Sequence, residues 1–180
     1  MNKFKALGSA ALFVAVSSVA FAGETKLPVQ GMELIPTNST LRFTVFFPED
    51  STMRDRHSVW YGLAYEFIPS TQFLSGSETF FSGEFYAGGT NLKNWAIPLT
   101  VNQRFWAGAG GANQMRTYFF AGAGLFFFDI GGSTTTFGVR GGIGMELSDR
   151  FSAELVGYLS GKGSNTGRMS GIGVSFGSRF

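Results

Sequence analysis

Residues Gly171–Phe180 read GIGVSFGSRF. Ile172, Val174, Phe176 and Phe180 fall on one side of an extended chain. Gly171, Gly173, Ser175, Gly177 and Arg179 fall on the other, and Ser178 is the one polar residue on the apolar side. Side chains of a strand point alternately to its two faces, so this stretch reads as a strand with one apolar face. Termini are ordinarily frayed and polar. An aromatic residue at Phe180, one step after Arg179, marks a strand that stays ordered to its last residue.

The same period of two runs backwards through the chain. TLRFTVFF sets Leu41, Phe43, Val45 and Phe47 against Arg42 and Thr44, and HSVWYGLAYEF sets Val59, Tyr61, Leu63, Tyr65 and Phe67 against Trp60, Gly62, Ala64 and Glu66. TFFSGEFYAG opposes Phe81 and Phe85 to Ser82 and Glu84. NWAIPLTVNQRFW opposes Trp95, Ile97, Leu99 and Val101 to Thr100, Asn102 and Arg104. TYFFAGAGLFFF separates Phe119, Ala121, Ala123, Leu125 and Phe127 from Gly122 and Gly124. TTFGVRGGIGMEL separates Phe137, Val139, Ile143, Met145 and Leu147 from Gly138, Arg140, Gly142, Gly144 and Glu146. RFSAELVGYLS separates Phe151, Ala153, Leu155 and Leu159 from Ser152, Glu154 and Tyr158. With the final stretch this makes eight predicted strands of roughly ten residues, joined by turns rich in Gly, Ser, Asn and Asp.

Composition narrows the class. The chain has 180 residues, enough for one domain, with 26 Gly, 21 Phe, no Cys and a net charge of +2. A charge so small and scattered excludes a nucleic-acid surface, and the absence of Cys excludes disulfides and thiolate metal sites. Lys3 and Lys5, an apolar run over 6–20 and the small-residue ending AFA at 20–22 read as a signal peptide cleaved after Ala22. The run is too short and too rich in Ala and Ser for a membrane anchor. The domain reading is a signal peptide over 1–22, a polar periplasmic arm over 23–39 and the barrel over 40–180.

Alternation of this kind suits a soluble sandwich with the apolar faces inside, or a membrane barrel with them outside. Three features favour the membrane. Aromatic residues cluster near strand ends (VFF, VWY, RFW, TYFF, FFF), where interfacial girdles sit. Glycines and full charges share the opposite faces, and Gly-rich faces on a soluble surface would weaken the sheet for no return. A sheet in lipid must also close on itself, because lipid offers no hydrogen bonds to free edges; eight strands is the smallest usual closure. The predicted fold is all-β: a closed, antiparallel, eight-stranded transmembrane barrel with up-and-down meander topology.

On the signal peptide, the strand count and the aromatic C-terminal pattern, residues 40–180 resemble the small eight-stranded outer-membrane barrels, the OmpA/OmpX-like transmembrane domains. The resemblance implies a cell-outer-membrane location with both termini periplasmic. It implies contact with outer-membrane lipids, and it implies that Ile172, Val174, Phe176 and Phe180 are read by the barrel-assembly machinery. No soluble peptidoglycan-binding domain is expected after Phe180, so the full two-domain design is expected to be absent. A monomer without cofactor, metal or nucleic-acid partner is expected.

Parity directs Arg42, Glu66, Glu84, Arg104, Arg140, Glu146, Glu154 and Arg179 into the lumen, four bases against four acids. They read first as a neutral ion-pair network plugging a narrow barrel, since buried charges persist only when paired, and second as a selectivity filter or a catalytic carboxylate pair. Arg179, at a strand end, is expected to be solvated. Arg140 is expected to pair with Glu154, Glu84 or Glu66, and Glu146 with Arg104 or Arg42. Enzyme readings are thin. The one histidine, His57, begins a strand beside Ser58, and neighbours on a strand face opposite ways. GKGS at 161–164 lacks the upstream glycine of a phosphate loop.

Two function classes follow: a structural or interaction barrel that maintains the envelope, or a narrow channel for ions or small apolar solutes. The channel would exploit the inward glycines at 122, 124, 138, 142, 144, 171, 173 and 177, unless large residues from facing strands (Trp60, Tyr86, Trp106, Tyr158) fill the space. Loop parity turns 48–56, 88–94, 129–133 and 161–167 outward. It makes Ser148–Asp149 a tight periplasmic turn and leaves 68–78 a long one; the outward loops are short for an adhesin.

Overall fold

A computed structural model describes residues 39–69, 73–89, 92–107, 115–163 and 167–180. The signal peptide and all but the last residue of the arm lie outside the described residues. The strands are β1 (Ser39–Pro48), β2 (Trp60–Phe67), β3 (Glu78–Gly88), β4 (Asn94–Ala107), β5 (Arg116–Asp129), β6 (Ser133–Glu146), β7 (Phe151–Ser160) and β8 (Ser170–Arg179). Each pairs antiparallel with its neighbours in sequence, and β8 pairs with β1 to close the barrel. The up-and-down eight-stranded barrel expected from the periodicity is the fold observed.

Burial alternates as the period of two requires. Along β1, Arg42, Thr44 and Phe46 are buried while Phe43 and Phe47 stay about half exposed. The aromatic runs divide accordingly, which corrects their reading as girdles. Trp60, Phe46, Tyr118, Phe120, Phe126 and Phe128 turn inward and are buried, whereas Tyr61, Phe47 and Phe119 remain outside. A run of adjacent aromatics on a strand must be shared between the faces, so only alternate members can form a belt.

The inward glycines are seats for these rings. Trp60 stands in register with Gly88, Tyr86 with Gly62, Tyr118 with Gly144 and Phe120 with Gly142. A Cβ added at Gly62, Gly88 or Gly144 would run into its partner's ring, and one at Gly142 would run into the Leu155 carbonyl and press on Phe120 at 3.1 Å. The glycines expected to open a groove are closed off by the neighbouring strand rather than the facing one, Gly124 by the backbone of β4 and most of the others by side chains. Gly138 lies against Phe126, Gly122 against Asn102, Gly173 against Thr44 and Val156, and Gly177 against Arg42 and Ser152.

One end of the barrel carries the connections β1–β2, β3–β4, β5–β6 and β7–β8; the other carries both ends of the described chain. At the loop end a one-and-a-half-turn helix α1 (Ser51–Arg56) begins at Asp50, whose side chain accepts the Met53 N–H. Met53 is fully buried, together with Ile130 and Met169 from the neighbouring connections. The Glu49 N–H donates to the Ser170 carbonyl at 2.7 Å, tying this connection to β8. At the terminal end, Ser148 Oγ accepts from the Arg150 and Phe151 N–H groups and builds the tight β6–β7 turn. In the longer β2–β3 connection, Ser77 Oγ donates to the Leu74 carbonyl and the Phe73 N–H to Thr79 Oγ1.

Pro98 points inward in β4. The β3–β4 ladder runs through Gly83 and Leu99 and resumes at Tyr86 and Ala96, skipping Glu84 and Phe85 opposite Pro98 and Ile97. Pro98 has no N–H to give to that seam, while its pairing with Phe126 on the other side is kept.

Phe180 completes the closure. Its N–H donates to the Ser39 carbonyl at 3.0 Å, and the Ser39 N–H donates back at 3.4 Å. Deleting Phe180 is expected to lower the amount of assembled barrel more than Ser175→Ala, which removes one buried hydroxyl pair with Thr44 worth about 1 kcal/mol. Comparing the heat-shifted gel band of the two variants checks this; equal levels would count against a role for the terminal aromatic.

Candidate functional site: the lumen charge layer

Strand parity and register bring six charges from six strands to one level of the lumen. Arg42 Nε lies 2.9 Å from Glu66 Oε2, and Arg42 Nη2 lies 2.9 Å from Glu154 Oε1. Arg140 Nη1 is 2.7 Å from Glu84, with Glu66 and Glu154 at 3.6 and 3.8 Å from Nη2. Arg104 reaches Glu66 at 3.3 Å, Glu154 at 3.9 Å and Glu78 at 2.6 Å. Arg42, Arg104, Arg140, Glu66, Glu84 and Glu154 are each at most 4% exposed. Three cations face three buried carboxylates, and Glu78 joins from the terminal side with its side chain 22% exposed.

Hydroxyls complete the layer. Tyr86 and Tyr158 donate to Glu84 Oε2 at 2.8 and 2.6 Å, and Ser82 donates to Oε1 at 3.1 Å. Tyr118 donates to Glu154 at 2.6 Å. The Arg104 guanidinium lies between the rings of Phe80 and Tyr118, 4.5 and 4.6 Å from their centroids, and that of Arg140 lies 4.8 Å from Phe120. On the loop side of this layer the lumen is apolar and ring-filled: Phe46 packs edge-on to Tyr158 at 5.6 Å and tilted to Tyr86, and Phe126 packs on Tyr158.

Glu146 and Arg179 are placed apart from the six. Glu146 sits at the terminal rim, 3.2 Å from Arg179 and 3.7 Å from Arg116, not against Arg104 or Arg42 as the sequence predicts. The reason is register: Glu146 is the last residue of β6 and lies opposite Arg116 and Ser152, on the outermost row. Arg179 is partly solvated, at 30% exposure, and ion-paired as well. Sequence reasoning missed Glu78 and Arg116. Glu78 ends the predicted 68–78 connection and Arg116 immediately precedes the predicted TYFFAGAGLFFF strand; carrying the alternation one residue further back puts each on the inward face.

The candidate catalytic groups do not assemble. His57 packs edge-on to Trp60, and its Nε2 is 3.4 Å from Asn94 Nδ2 at the loop rim, while Ser58 is exposed. The buried lumen carboxylates are ion-paired with arginines, and Glu84 and Glu154 also accept from hydroxyls, while Glu66 Oε1 and Glu154 Oε2 are left without a hydrogen-bond partner. Among the described residues no cluster of His, Asp and Glu is placed to hold a metal.

No protein-family model matches the chain, and no curated protein matches it. Among solved structures the fold is similar to the crystal structure of Neisserial surface protein A (NspA), with a TM-score of 0.51, 10% identity and coverage of 80% of this chain and 97% of that one. With the same coverages it also matches the N-terminal β-barrel domain of Pseudomonas aeruginosa OprF at 13% identity and a TM-score of 0.48. Ail, the attachment invasion locus protein of Yersinia pestis, matches at 12% identity and 0.45. At such identities the likeness is one of fold alone.

Removing one member of a buried ion pair strands its partners and costs about 3–5 kcal/mol. Arg140→Ala is therefore expected to lower stability towards urea by an amount of that order, because Glu84 loses its arginine. Glu146→Ala, at the solvated rim, is expected to cost about 1 kcal/mol or less. An unchanged unfolding midpoint for Arg140→Ala would mean that the layer is hydrated rather than dry.

Proposed function

We propose that this protein is an integral outer-membrane barrel whose filled lumen makes it a structural component of the envelope rather than a pore. One observation carries the reading: polarity is inside out. The charges and hydroxyls lie in the lumen, while Phe43, Tyr61, Leu99, Phe119, Phe137, Val139, Ile143, Leu155, Ile172 and Phe176 stand 44–64% exposed around the outside. A continuous apolar surface of this kind is not sustained in water and suits a bilayer, which in turn demands a closed sheet. Among the described residues no helix is long and apolar enough to cross a membrane, so the strands would do it.

A side chain bordering a water-wide path would be accessible along it, and the six central charges are not. An ion would also have to pass the apolar half of the lumen and the Met53, Ile130 and Met169 closure. On this reading both termini lie in the periplasm, next to the tight Ser148–Asp149 turn. The outward row Ile172, Val174, Phe176 and Phe180 is then available to the barrel-assembly machinery, and the barrel works as a monomer surrounded by outer-membrane lipids.

The test has two parts. Extracted from the envelope, the protein is expected to resist salt and alkaline wash and to change gel mobility on boiling; release by either wash would overturn the membrane reading. In planar bilayers it is expected to show no discrete conductance, and regular current steps would replace the structural reading by the channel. Val139→Arg, which puts a charge on the outward face, is expected to destabilise by about 2–4 kcal/mol at the bilayer midplane, read from unfolding in lipid vesicles.

A further inference from the structure

The outward glycines do not follow the packing rule of the interior. Gly83 points outward and stands in register between Tyr65 of β2 and Leu99 of β4. Inside the barrel a tyrosine so placed lies over its glycine, as Tyr86 does over Gly62. At Gly83 no ring does: a Cβ there would meet a Leu99 methyl at 3.4 Å and nothing else within 4 Å. Tyr65 is drawn the other way, towards β1, where its hydroxyl is 2.8 Å from Ser39 Oγ. What remains is a groove of ≈ 330 Å³ with Gly83 as its floor, Tyr65 and Phe67 along one wall, Leu99 and Val101 along the other, and Phe81 at one end.

We propose that this groove seats one acyl chain of a phospholipid, held as a bound lipid in the leaflet at the terminal end of the barrel. The inference rests on the outer-membrane reading above. The groove is continuous with the outward apolar face, and no charged side chain lines it, so a hydrocarbon tail rather than a headgroup is what it fits. Its walls stand on strands two apart, about 9–10 Å between backbones, a slot for a single chain. A side chain protruding from a second barrel would fill one point of a slot that runs past Tyr65 and Phe67 on one wall and Leu99 and Val101 on the other, whereas an acyl chain follows its length. The tether at Ser39 lies at the terminal edge of β1, and Gly83 is only five residues in from Glu78 at the same end. That is the phospholipid side if the termini are periplasmic.

Native mass spectrometry of the protein extracted from its own membranes tests this, with phosphatidylethanolamine as the added probe and the heat-mobility shift as the check on folding. The wild type is expected to retain one phospholipid. Gly83→Leu fills the floor and should lose it. Tyr65→Phe frees the ring to cover Gly83 and should weaken retention; this variant carries the test if Gly83→Leu does not fold. Gly157→Leu, at an outward glycine of β7 away from the groove, where a Cβ would meet only backbone oxygens at 3.7 Å and 4.0 Å, should retain lipid like the wild type. Equal retention by all four forms, or a membrane-inserted, heat-shifted wild type that retains no lipid, overturns the groove while leaving the membrane reading intact. A retained mass matching lipid A, or a cross-linked dimer abolished by Gly83→Leu, overturns the phospholipid as occupant. A wild type that fails to insert at all overturns the membrane reading and the groove with it.

Discussion

A sheet without a free edge is the constraint on which the rest of this molecule depends. β8 meets β1 over a continuous register from Thr40 opposite Arg179 to Pro48 opposite Gly171, and the pairing runs to the final residue through Ser39 and Phe180. Closure also fixes which way every side chain faces. A slip of one residue on any seam would turn Arg42, Glu66 or Arg140 out among the apolar side chains and bring Phe43 or Val139 in. The register therefore cannot drift without burying the wrong groups, and the alternation of the sequence and the closure of the sheet enforce each other.

An eight-stranded barrel is just wide enough inside for side chains to fill it, and here two devices do so. Rings lie on the glycines of neighbouring strands, which recovers the packing that glycine removes from a strand. Around them a layer of three arginines and three carboxylates is held in near-complete burial. Burying those ions is unfavourable in itself, and the layer is tolerable only because each has several partners of opposite charge or hydroxyls to satisfy it. Glu84 shows the point: it accepts from Arg140, Tyr86, Tyr158 and Ser82 at once. The Tyr86 and Tyr158 rings that seat against Gly62 and beside Phe46 carry those hydroxyls, so the apolar packing and the ion layer share the same residues.

Much of this was legible from alternation alone. Eight strands, the inward parity of Arg42, Glu66, Glu84, Arg104, Arg140 and Glu154, and the Ser148–Asp149 turn follow from counting in twos. The partners of a charge follow from register, which a single strand does not contain. Glu146 and Arg140 share a face of β6, yet six residues place one at the rim with Arg179 and the other in the middle with Glu84. Glu78 and Arg116 were hidden by ladders that run further than the turn-forming residues around them suggest. The occupancy of the glycines was illegible for the same reason: whether Gly144 is a void or a seat depends on Tyr118 standing opposite, and that is a fact about β5.

The barrel is asymmetric along its axis, and the asymmetry bears on what it can do. The ion layer opens towards the terminal rim through Glu78, Arg116, Glu146 and Arg179, all partly accessible. Towards the loop end lie Phe46, Trp60, Phe126 and Phe128, with Met53 of α1, Ile130 and Met169 in the same apolar cluster, all fully buried. A hydrated ion entering from the terminal rim would reach charges already paired with one another. Beyond them it would have to shed its water against aromatic rings, at a cost of several kcal/mol per ion in real protein interiors. Moving a single arginine would not remove that second barrier, because those rings stand on three different strands. The same inward side chains that would have to part to make a pore are the ones that hold the strands in register, so conduction and stability draw on one set of residues, and the packing favours stability.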